Sequence, residues 1–184
     1  MKRLVQFFII FFLFSVPANA ACDFMIKIGE KGTKVFEKFA VPLPGFKGMW
    51  YMPVQSPEVC PNDNLNENIA VEYVFLGDKH EQAKLAAIRM IVLNDGSNTE
   101  NNKFTLMNYA KKVYGDFDTG QNPESYIGYK VFERTRQFVV YQRMDDGSGL
   151  IQEEMYISNN KYDELLAEFF NKLEEDMAES ESQN

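Results

Sequence analysis

Cys22 and Cys60 are the only cysteines in this 184-residue chain, and the residues in front of them place the pair in an oxidising compartment. Lys2 and Arg3 form a basic start, Leu4 to Phe14 an apolar run, and Ala18-Asn19-Ala20 a small-x-small cleavage site, so residues 1–20 read as an export signal. The apolar run is shorter than the roughly 20 residues a membrane span needs, and no later segment comes closer. Two cysteines in an exported chain read as a disulfide. Closing a loop of roughly 40 residues contributes about 4 kcal/mol on the chain-entropy model. The bond would tie the new N-terminus to the Pro-rich stretch around Pro57 and Pro61. The competing reading acylates Cys22 as a lipoprotein anchor and leaves Cys60 without a partner.

Removing the signal leaves residues 21–184, a length that suits one domain over 21–176 followed by an acidic, Ser-containing tail, 177–184, expected to be disordered. Lys2 and Arg3 leave with the signal, so 17 basic against 27 acidic residues give the mature chain a net charge of −10. That balance argues against nucleic acid and anionic membrane surfaces as partners. No Asn-x-Ser/Thr sequon occurs, which favours a bacterial periplasm over a eukaryotic secretory route.

Hydrophobic periodicity supplies the elements. Thr33 can cap a short helix over Lys34 to Phe39, and Gly48 to Val54 reads as a strand stopped by Pro53. Ile69 to Leu76 is a strand rich in β-branched and aromatic residues, with Leu85 to Leu93 as its antiparallel partner. A rival helix over 78–93 draws on the capping-box spacing of Asp78 and Glu81 and on Ala83, Ala86 and Ala87. Asn101 or Asn102 caps an amphipathic helix carrying Phe104, Met107, Ala110, Val113 and Tyr114, closed by Gly115. Strands follow at Tyr126 to Arg134, Gln137 to Met144 and Leu150 to Ile157, the last two joined by the turn Asp145-Asp146-Gly147-Ser148-Gly149. A final helix, 160–176, carries Tyr162, Leu165, Leu166, Phe169, Phe170 and Leu173. Both halves, 24–95 and 101–158, have the order helix, broken loop, three strands. The expected fold is therefore a two-layer α+β domain, an antiparallel sheet with helices on one face, built as two αβββ pseudo-repeats plus a C-terminal helix.

Chemistry-bearing residues are sparse. His80 is the only histidine and reads as a solvated turn residue; no nucleophile signature accompanies it, and a zinc site would need more ligands. Asp116, Asp118 and Glu124 flank a Gly bend at Gly120 and form the alternative metal reading, a calcium loop, although an EF-hand pattern wants an oxygen ligand at Gly120 and a carboxylate at Ile127. Glu153 and Glu154 are neighbours on a strand, so they point to opposite faces and cannot flank one glycosidic bond. They read instead as surface ion pairs, with Glu133, to Arg134, Arg136 and Arg143 across the hairpins. Trp50, Tyr51, Tyr129 and Tyr141 fall on strands and would form a binding surface if they share the open sheet face.

The segment Ile28-Gly29, Val35 to Pro42 and then Trp50-Tyr51 on a strand resembles the short Gly…Val…Pro pattern of BamE/SmpA-type envelope domains. That resemblance implies a small envelope α+β module acting as an accessory to outer-membrane assembly, and it carries over no functional residue. The expected function is a non-enzymatic periplasmic binding or scaffolding module with no cofactor, engaging another envelope protein through the open sheet face or the loop Pro42 to Pro61. The alternative is a small hydrolase or ligand-binding protein with an acidic pocket near Asp116 and Asp118.

Overall fold

A computed structural model describes residues 22–46, 48–61, 65, 69–92, 104–145 and 151–182, with side chains through 175. The signal 1–20, the helix caps Asn101 and Asn102, Leu93 with the stop at Asp95-Gly96, the turn residues 146–149 and the last two residues lie outside them.

Alternation builds the sheet. In β3 (Ile69–Leu76), Ile69, Val71, Tyr73 and Phe75 are wholly buried on one face, while Val74 is buried on the other. A strand covered on both sides belongs in the middle, and β3 pairs antiparallel with β2 (Met49–Gln55) and β4 (Lys84–Val92). The stretch 84–92 is thus a strand, not a helix: its pairing with β3 on one side and β7 on the other outweighs the helical preference of its alanines.

Two residues of β1 (Leu43–Pro44) cover only Trp50 and Tyr51 of β2. Pro53 therefore sits inside β2 at an edge left open, where its missing N–H costs no ladder bond, and it does not stop the strand as expected. The second half contributes β5 (Gly128–Glu133), β6 (Phe138–Asp145) and β7 (Ile151–Ser158), and the order across the seven-stranded open sheet is β1-β2-β3-β4-β7-β6-β5. Each half is a run of antiparallel neighbours, and their third long strands, β4 and β7, join them.

Helices cover both faces, which corrects the expectation of one. α1 (Thr33–Lys38), α2 (Ser56–Val59) and α3 (Thr105–Tyr114) pack with Val71, Tyr73, Met90, Tyr141 and Met155 on the first face. α4 (Asn160–Ser182) lies on the second, where Tyr162 and Leu166 meet Met49, Val74, Ala86 and Ala87. The two alanines present almost no side chain, so the helix can approach the strand closely. Gly29 helps at the rim: its φ is +92°, and a Cβ there would come within 3.0 Å of the Tyr162 ring. Helical backbone continues to Ser182, through most of the expected disordered tail, because the Glu-, Ala- and Met-rich end favours helix.

The disulfide ties the segment that starts at Cys22 over the first face. Cys22 bonds Cys60 at the C-cap of α2, Asp23 N–H donates to Val59 O at 2.8 Å, and Cys22 N–H donates to the Tyr109 hydroxyl at 3.0 Å. With its sulfur so engaged, Cys22 is not an acylation site. α2 itself was not expected; Pro57 at its start and Glu58, which accepts from Gln55 N–H at 3.1 Å, nucleate it inside the Pro-rich stretch.

Candidate functional site

The four candidate aromatics do not share a face. Tyr141 is wholly buried on the first face, and burial, then Glu153, pushes its hydroxyl proton affinity far up. Trp50 also leans on the first-face core: its Nε1–H donates to Gly77 O at 2.8 Å and its ring meets His80 edge-on at 5.5 Å. His80 is consequently a half-buried packing residue against Phe36 and Trp50, and not a solvated turn. Tyr51 and Tyr129 do face the second side. Tyr129 is 70% exposed on β5, at the far edge of the sheet, whereas Tyr51 lies at the opposite end beside α4.

Tyr51 opens onto a cleft of about 490 Å³ between α4 and the sheet. Its floor is Tyr51, Val74 and Ala87; Leu166, Ala167 and Phe170 line it from the helix. Phe170 remains 44% exposed, so the helix presents apolar surface that the sheet does not cover. One wall is charged. Arg89 Nε donates to Glu154 Oε1 at 2.9 Å and its Nη1 to Glu72 Oε2 at 3.2 Å. The Glu154 hydrogen bond, opposed by burial and aided by the charges of Glu154 and Glu72, raises the Arg89 pKa and locks the guanidinium in its charged form. Beside it the Tyr156 hydroxyl donates to Asp163 Oδ1 at 2.9 Å, clamping the first turn of α4 to β7. Burial raises the pKa of both Tyr51 and Tyr156. The arrangement offers apolar contact beside a fixed guanidinium and two carboxylates, which suits an aliphatic or aromatic side chain with a backbone or polar group next to it.

A second polar cluster lies on the first face. Arg143 and Glu153, direct partners across β6 and β7, are not the surface pair expected: their side chains are 3% and 2% exposed, with Nη1 to Oε1 at 3.1 Å. The Tyr141 hydroxyl donates to the same oxygen at 2.6 Å, and the guanidinium stacks over Phe104 at 4.8 Å. Burial raises the Glu153 pKa, while Tyr141, Arg143 and the Leu106 amide in the first turn of α3 pull it back. Nor do the other expected pairs form: Glu154 is held by Arg89, and Arg134 caps α3 through the carbonyls of Tyr114 at 2.9 Å and Val113 at 3.4 Å. Arg134 also leans over the Tyr114 ring at 5.7 Å.

The Asp116 and Asp118 carboxylates are engaged within their own loop and by Lys111. Asp116 accepts from Phe117 N–H at 2.9 Å and pairs with Lys111 at 3.3 Å, Asp118 accepts from Gly120 N–H at 2.8 Å, and the Glu124 amide donates to Asn122. Among the described residues no group of three His, Cys, Asp or Glu side chains could hold a metal ion. Among them, too, no helix is long and apolar enough to cross a membrane.

No family model, curated protein or solved structure matches the chain.

Proposed function

We propose that the chain is an exported, non-enzymatic binding or scaffolding module of the bacterial cell envelope that holds an apolar segment of another envelope protein between α4 and the sheet. The observation that carries this reading is the open cleft, with its apolar floor and helix, its exposed Phe170 and its fixed Arg89. An export signal over residues 1–20, the Cys22–Cys60 disulfide and the resemblance of the Gly29 to Pro42 segment to BamE/SmpA-type domains support the compartment. Phe170 is half in solvent, so Phe170→Glu should leave the fold intact while placing a charge where an apolar segment must dock. Capture from envelope extract should recover a protein with the wild type and lose it with Phe170→Glu. Equal recovery by both, or recovery of no specific protein, refutes the proposal.

A further inference from the structure

The two edges of the sheet are finished differently. At one, β1 is two residues long and contains Pro44, with Pro53 behind it, so little backbone is offered. At the other, β5 runs six residues in unbroken register with β6 and contains no proline. Exported proteins ordinarily blunt such an edge, and among the described residues no strand pairs with this one.

Which groups it offers follows from the hairpin. Arg134 N–H donates to Gln137 O at 2.9 Å, so Arg134 belongs to the set bonded to β6. By alternation Phe132, Lys130 and Gly128 belong to it as well, and the N–H and C=O of Tyr129 and Val131 point outward. The outward set carries three exposed apolar side chains, Ile127 at 52%, Tyr129 at 70% and Val131 at 41%, and ends in the exposed Glu133.

We infer that this edge pairs with the same edge of a second copy, antiparallel about Tyr129. That register sets Tyr129 against its counterpart and Ile127 against the partner copy's Val131, so each exposed apolar side chain meets another. It also sets Lys130 opposite a glycine, Gly128, where no side chain competes for space. Charge allows it, since β5 carries one Lys and one Glu although the chain's net charge is −8. Six such side chains and two short backbone edges bury on the order of 800 Å², at the weak end of specific interfaces, so the dimer forms in the micromolar range or above. This inference is independent of the cleft.

Sedimentation of the purified chain from about 10 µM to 1 mM should show a concentration-dependent dimer, strengthened by salt as the repulsion between two acidic bodies is screened. Val131→Pro removes an outward N–H without touching the β5–β6 ladder and should weaken association at least about tenfold, as should Tyr129→Asp. Tyr129→Cys should cross-link between copies under oxidation, whereas Val131→Cys should do so only when mixed with Ile127→Cys. A monomer throughout the range, association unchanged by both substitutions, or cross-linking of Val131→Cys alone overturns the inference.

Discussion

Arg143 and Glu153 provide the sharpest test of the packing, because they are charges buried where a sequence reading expects a solvated pair. With side chains 3% and 2% exposed, removing either partner strands the other in the core, at a cost of about 3–5 kcal/mol. For a domain of this length that lowers the melting temperature by roughly 6–20 °C. Replacing the whole cluster with apolar groups of similar volume, Arg143→Met, Glu153→Leu and Tyr141→Phe together, leaves only the Leu106 amide without its acceptor and should cost about 1–3 kcal/mol. Adding the single costs would instead predict unfolding, since total stability is only about 5–15 kcal/mol. Urea denaturation followed by far-UV circular dichroism and by Trp50 fluorescence measures all the variants. Trp50 reports from β2, on the other half of the sheet, so coincident midpoints also confirm that both halves unfold as one. Single substitutions costing under about 1 kcal/mol would show the pair to be hydrated, and a combined variant as unstable as the sum would show the charges to be irreplaceable.

Cys22→Ser with Cys60→Ser should lower stability by about 4 kcal/mol for the loop they close, read as a urea midpoint shift that dithiothreitol reproduces in the wild type. Stability should fall as pH rises in two separate ranges, one acidic and one alkaline. Glu153 binds its proton more tightly folded than unfolded, so the stability it contributes is fully present below 4.5 and is lost as pH rises through its folded pKa; Glu153→Gln should flatten that segment of the profile. Burial likewise pushes Tyr114 up to about 12 and raises Tyr73, Tyr141 and Tyr156. Stability should therefore fall above the unfolded tyrosine value of 10.0, with the tyrosinate absorbance of these four residues appearing only as the chain unfolds.

Strand positions were legible because β-branched and aromatic residues cluster between turns; Ile69 to Leu76 is the strand at both ends. Faces were not. In β6, Val139 and Tyr141 lead to Arg143, while Phe138, Val140 and Gln142 form the other parity, so both sets mix apolar and polar residues and neither marks itself as core. Arg143 and Glu153 consequently read as surface. The same ambiguity hid which face α4 covers, since a strand buried on both sides gives no sign of which helix covers which side. Ala86 and Ala87 even read as helix formers, when their use is to leave room for Tyr162 and Leu166. Leu106 and Tyr109, wholly or almost wholly buried, complete an α3 stripe whose spacing allowed them but which Phe104 and Val113 seemed to satisfy.

The cleft could not have been read from either half. Tyr51, Val74 and Arg89 come from the first, Glu154 and Tyr156 and the whole helical wall from the second. They meet because β4 pairs with β7, a contact between residues far apart in sequence that no turn signal announces. Glu72 lies opposite Arg89 on neighbouring strands, a pairing the hairpin register predicts once β3 and β4 are aligned. Glu154 reaches the same guanidinium only diagonally across the β4–β7 junction. Arg89 is thus held by one carboxylate from each half, and the ion cluster and the cleft wall it forms exist only when the junction does. Binding in the cleft and cohesion of the two halves are coupled for that reason: a ligand that contacts both walls stabilises the β4–β7 pairing as well as itself.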